Sequence, residues 1–109
     1  PRRGMAKIRR VVLDILKPHE PGMAAFTTEV GEIPGVTAVN TILIELDREV
    51  QNVKLAIDGD DLDVESIEAE IEALGGTIHS IDMVAAGEYV IGEGSDSFMT
   101  VEWPTESSD

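Results

Sequence analysis

The segment Ile8 to Pro21, IRRVVLDILKPHEP, constrains the fold more than any other stretch of the chain. It is an apolar run with one acid, Asp14, at its centre, closed by two prolines. Val11, Leu13 and Ile15 alternate with Arg10, Val12, Asp14 and Leu16. An extended strand over Ile8–Lys17 is therefore largely apolar on both faces. Such a strand belongs inside a sheet, covered on both sides, and the remaining chain must supply its neighbours.

The sequence offers three further strands and two helices. Pro18 and Pro21 stop the first strand, and Pro21 suits the first turn of a helix. Met23, Phe26, Val30 and Ile33 then recur at helical spacing, and Pro34-Gly35 ends that helix. Val36–Asp47 reads as strand two. A short turn over Arg48–Val50 leads to strand three, Gln51–Asp58, and a turn this short makes an antiparallel hairpin. Asp63 is placed as the N-cap of a second helix, with Leu62 and Ile67 as a hydrophobic staple. Val64, Ile67, Ile71 and Leu74 form its buried stripe, and Gly75-Gly76 stops it. Thr77–Ala86 is strand four. After Gly87 come two apolar islands, Tyr89–Ile91 and Phe98–Trp103, candidates for added edge strands or for contact with a neighbouring subunit.

The order βαββαβ predicts an α+β, ferredoxin-like split-βαβ sandwich. Its antiparallel sheet runs in the order 4-1-3-2, with both helices on one face. The chain divides into a basic arm (residues 1–7), the domain (8–87) and an acidic C-terminal extension (88–109). Its 109 residues suit one domain. With no cysteine, disulfides, thiolate metal sites and thiol nucleophiles are excluded.

Charge bounds the partners. The net charge is −14. Arg2, Arg3, Lys7, Arg9 and Arg10 crowd the first ten residues, whereas from residue 11 onward 22 acids face three bases. A body so acidic repels nucleic acid and anionic membranes. Acid-rich, lysine-poor surfaces suit a salt-adapted host, because salt near 1 M shortens the Debye length to about 3 Å and screens the self-repulsion. Neither a membrane-length apolar run nor a secretory signal pattern is present, so the expected location is cytoplasmic.

Topology then predicts a site. Strand one lies between strands three and four, so Asp14 is expected beside Lys54 on one side and opposite Asp82 on the other. This Lys54–Asp14–Asp82 row lies on the helix-free face, ringed by Val12, Leu16, Ile42, Ile44, Leu46 and Val84. An apolar face of that size marks an interface, so self-association through the open sheet face is expected. Asp14 and Asp82 form a candidate site for a hard cation such as Ca²⁺, and Glu45 and Asp47 are further candidate ligands. The alternative is a row of simple ion pairs.

Lys17, His19 and His79 fall towards the same sheet edge. They form a candidate ligand-binding group, an anion clamp or a proton-transfer pair, against the plainer reading of structural and surface histidines. The DGDDLD loop fails as an EF-hand: Leu62 stands at the fifth position and no Glu at the twelfth. An RNA-recognition module needs aromatic residues on strands one and three, and there are none. Metallochaperone chemistry lacks its cysteines, and an acylphosphatase lacks its anion-binding arginine loop.

RRVVLDILKPHEP, GVTAVN, LIELDREVQNVKLAIDGDDL and ALGGTIHSIDMVAAGE together resemble the archaeal domain-of-unknown-function 211 family over about Ile8 to Gly87. The resemblance implies a ferredoxin-like fold, ring-like homo-oligomers, bound calcium in some members and no established reaction. With the acidity, it implies a haloarchaeal host. The expected protein is thus a non-enzymatic homo-oligomer binding a divalent cation or small effector between subunits. The alternatives are a small enzyme on Lys17, His19 and His79, or an adaptor that docks a larger partner.

Overall fold

The computed structural model describes residues 6–92. The elements are β1 (Ile8–Pro18), α1 (Met23–Gly31), β2 (Val36–Leu46), β3 (Val50–Gly59), α2 (Val64–Ala73) and β4 (Thr77–Ala86). The sheet order is β2-β3-β1-β4, the expected 4-1-3-2 read from its other edge, and every pair is antiparallel. This is the ferredoxin-like α+β arrangement. The Phe98–Trp103 island lies outside the described residues. In the Tyr89–Ile91 island Val90 is buried and its two neighbours are exposed, with no strand formed.

β1 is central because its side chains have partners on both sides. Val11, Leu13 and Ile15 have no exposed surface. They meet Val53, Leu55 and Ile57 of β3, Phe26 and Val30 of α1, and Ile67 and Ile71 of α2 in one cluster. Fully burying an aliphatic side chain is worth about 1.5–3 kcal/mol, so these residues dominate the fold's stability.

The helix ends follow local chemistry. The Asp63 carboxylate accepts the Ser66 amide proton and the Ser66 hydroxyl proton, capping α2. Leu62 and Ile67 are both buried beneath that cap. At the far end Gly75 has φ +93°; its amide donates to Glu72 O and the Gly76 amide to Ile71 O. That is a Schellman motif, and it needs the glycine's access to positive φ. α1 ends at Gly31, slightly before the expected Pro34-Gly35 stop, and Ile33 still reaches the core.

Gly59, at the end of β3, is required by space alone. A Cβ there would stand 2.2 Å from Gly35 O and 2.4 Å from Leu62 Cδ2. The expected result for Gly59→Ala is a loss of about 1–3 kcal/mol, because the backbone oxygen cannot move aside cheaply. Urea unfolding in high salt measures this, and an unchanged midpoint would contradict it.

Candidate functional site

The helix-free face of the sheet is built by the even-numbered residues of β1 and β3. Arg10 pairs with Asp58, Val12 with Ala56, Asp14 with Lys54 and Leu16 with Asn52. The expected Asp14–Lys54 neighbourhood is therefore present. Arg10 clamps Asp58 in a two-pronged ion pair, Nε to Oδ1 at 2.6 Å and Nη2 to Oδ2 at 2.9 Å.

On the other side of β1 the register differs from expectation. Strand four carries irregularities between the partners of Val12 and Leu13 and between those of Asp14 and Ile15. Leu13 therefore pairs with Ile81, and Asp14 with Ser80 rather than Asp82. Asp82 becomes the extra residue of a bulge, a device that re-aims a side chain. Its carboxylate receives the Ser80 hydroxyl proton at 2.7 Å and lies 3.1 Å from the Lys54 ammonium. Asp14 instead accepts from the Asn52 amide, which also donates to Ile15 O at 3.2 Å. The row is thus Asn52–Asp14 beside Lys54–Asp82–Ser80, with lysine bound to the outer acid.

The Ser80 hydroxyl first, then Lys54, hold the Asp82 carboxyl below its ordinary pKa. Both stabilise the charged form, and partial burial opposes them only in part.

The bulges also move apolar side chains to the other side of the sheet. Between Leu43 and Glu45 the β2–β3 pairing shifts, so that Glu45 pairs with Asn52 and Leu46 with Gln51. Gln51 pairs with Lys17 and Val11 with Val84. Leu46 and Val84 therefore share the helix side with Val11 and Lys17, not the helix-free side expected for them. A one-residue slip exchanges the faces of everything beyond it. Val12 does lie on the helix-free side and is fully buried, while Leu16 and Ile42 are partly covered. The exposed apolar side chains are concentrated on the two outer strands: Leu43, Ile44 and Leu46 on β2, Ile81 and Val84 on β4.

Lys17 is buried, whereas the other two candidate ligands, His19 and His79, are exposed. It is the one buried charged residue among those described. Its ammonium donates to Pro18 O at 2.9 Å and Gln51 Oε1 at 2.7 Å, and lies 5.6 Å from the centre of the Phe26 ring. Burial pulls its pKa down, against the pull of Glu20. Such a lysine anchors the end of β1 under α1. The burial signal was present in the sequence, since Lys17 continues the odd-numbered core positions of β1. His19 and His79 are both exposed. The His19 Nε2–H donates to Asp47 O at 2.9 Å, tying the turn after β1 to the β2–β3 hairpin.

Glu45 and Asp47 line a cleft of about 160 Å³ with Leu16, Val50 and Asn52. Asn52 joins this cleft to Asp14. Among the described residues no group of three or more acids and histidines is arranged to hold a metal ion. Asp14 and Asp82 each have a protein partner, and Glu45 and Asp47 are two exposed carboxylates at a strand end. Sequence reasoning did not anticipate Asn52 or Ser80, because neutral partners leave no charge pattern to read.

The family model for DUF211, described as "Uncharacterized ArCR", matches residues 9–98. The chain belongs to the DUF211 family. The archaeal "Uncharacterized protein MJ0319" of Methanocaldococcus jannaschii is 48% identical over 89 residues, which cover 82% of this chain and 92% of that protein. The DUF211 match extends past the Ile8–Gly87 span in which the resemblance is legible and takes in Tyr89–Ile91. No helix among the described residues is long and apolar enough to cross a membrane.

The low Asp82 pKa has a definite pH signature. In the unfolded chain the carboxyl titrates near its ordinary value of about 3.9, and in the folded chain lower. As pH falls the unfolded chain therefore takes up this proton first. The stabilisation is complete above the unfolded value and is lost as pH falls through the folded one. Asp82→Asn should accordingly be less stable than the parent at neutral pH, with the two urea midpoints converging in acid. A gap that persists unchanged in acid would exclude this contribution.

Proposed function

We propose that this DUF211 member is a non-enzymatic, cytoplasmic homo-oligomer that takes a divalent cation or small effector between its subunits, in a salt-adapted archaeal cell. The observation that carries the reading is the exposed apolar surface on both outer strands. Leu46 is 61% exposed and Val84 53%. Long edge strands with bare apolar side chains invite pairing with another chain, and soluble proteins ordinarily protect them.

The cation belongs between copies because one copy does not supply enough ligands. Calcium takes six to eight oxygen ligands. The exposed pair Glu45 and Asp47 offers the first of these, with Asp14 behind Asn52, and a second subunit completes the set. Asp82, already held by Ser80 and Lys54, responds indirectly through the shared row. A cation bound only by the assembled form stabilises assembly by mass action. The high acidity fits this arrangement, since monovalent salt and bound cations both relieve repulsion between subunits.

Sedimentation across a potassium chloride series, with calcium or with EDTA, tests the reading. The expected result is an assembly of several copies in high salt, strengthened by calcium and weakened by EDTA. Leu46→Glu should weaken assembly by about tenfold or more, since a buried unpaired charge costs more than the about 1.4 kcal/mol that a factor of ten represents. Asp14→Asn should blunt the calcium response without unfolding the chain. A monomer at every salt concentration, with or without calcium, would refute the proposal.

A further inference from the structure

This inference rests on the self-association reading and specifies its contact: we infer that the outer edge of β2 in one copy pairs, antiparallel, with the outer edge of β4 in the next. The partner is a second copy of this chain, joined head to tail.

Strand direction permits it. With order β2-β3-β1-β4 and every neighbour antiparallel, β2 and β4 run in opposite directions. Among the described residues each of them pairs on one side only. Setting β4 of one copy beside β2 of another therefore continues the alternation of the sheet. The strands match in length, with 11 residues in β2 and 10 in β4.

The irregularities match as well. On β2 the helix-side residues Leu43 and Leu46 are three apart, because a bulge lies between them. On β4 the helix-side residues Ile78 and Ile81 are also three apart, again across an irregularity. A regular strand would space such residues by two. Placing Leu43 opposite Ile81 and Leu46 opposite Ile78 thus sets the two irregular stretches side by side, with Ile44 opposite Ser80, and keeps both apolar pairs on the helix side. In the same alignment Glu45 falls opposite His79.

Charge favours the same choice. The β2 end carries Glu45, Asp47 and Glu49. The stretch it meets, Thr77–Ile81, contains no acid and one histidine. A two-fold contact of β2 with β2 or of β4 with β4 would cover one apolar edge and leave the other bare. Head-to-tail pairing covers both edges of every copy and closes into a ring or continues as a filament.

Because the chain has no cysteine, engineered disulfides report the contact directly. Two full-length double variants serve, Leu43→Cys with Ile81→Cys, and Glu45→Cys with His79→Cys. Within one copy β2 and β4 are three strand spacings apart, roughly 14 Å, which exceeds the ~7 Å Cα limit for a disulfide. Oxidation in salt that supports assembly should give a ladder of covalent multimers in non-reducing gels for the double variants. The four single variants should stay monomeric. A parent chain that assembles while neither double variant cross-links, or single variants that yield dimers, would overturn this contact and leave self-association standing. A parent chain that never assembles would remove both.

Discussion

Burial of β1 between β3 and β4 is the constraint from which the rest follows. Val11, Leu13 and Ile15 have no exposed surface, and α1 and α2 close over them. Strand alternation then leaves no freedom for Asp14: it must stand on the opposite face, at the centre of the sheet, and be partly covered. A half-buried carboxylate there needs hydrogen-bond donors, and Asn52 of β3 supplies one. Lys54, next along β3, is then free to reach Asp82 beyond β1. The polar row is a consequence of the core on the other side of the same strand.

Much of this was legible in the residues. Alternation in IRRVVLDIL identified the central strand, and Asp63 and Gly75 marked the limits of α2. The β1–β3 register follows from matching Leu13 to Leu55, and it brought Asp14 to Lys54 as expected. The β1–β4 register was not legible, for a physical reason. TIHSIDMVAA satisfies the apolar alternation in more than one way, and a bulge costs little on an edge strand where one side is unpaired. The same holds for ILIEL near the end of β2. Both misjudgements fall on edge strands; the interior strands, held from two sides, left no such choice.

The bulges change which surface is apolar. Without them, Leu46 and Val84 would join the helix-free face and make it broadly greasy. With them, that face has ion pairs and amides across its middle, and Leu43, Leu46, Ile81 and Val84 stand exposed on the helix side at the two edges. Lys17 shows the same logic at the end of β1. Its position in the odd-numbered series commits its stem to the core, so its ammonium is met by the Pro18 carbonyl and the Gln51 side chain. A lysine so placed is anchored by neutral acceptors, which suits a structural part better than ligand capture.

Acidity and bare apolar edges are opposing tendencies in one molecule. Charges on and beside edge strands are a common guard against indiscriminate pairing, and Glu45, Asp47 and Glu49 stand where β2 would otherwise offer an open template. At −14 per chain the repulsion between copies is long-ranged in dilute salt and confined to contact distance in concentrated salt. Apolar contact is short-ranged, and salts excluded from the protein surface strengthen it. The two therefore exchange dominance as ionic strength rises. Under the proposed edge pairing, what discriminates among partners in concentrated salt is local: the spacing of Leu43 and Leu46, the matching spacing of Ile78 and Ile81, and the absence of acid from Thr77 to Ile81. A guard made of carboxylates excludes most partners while admitting one whose facing strand lacks them.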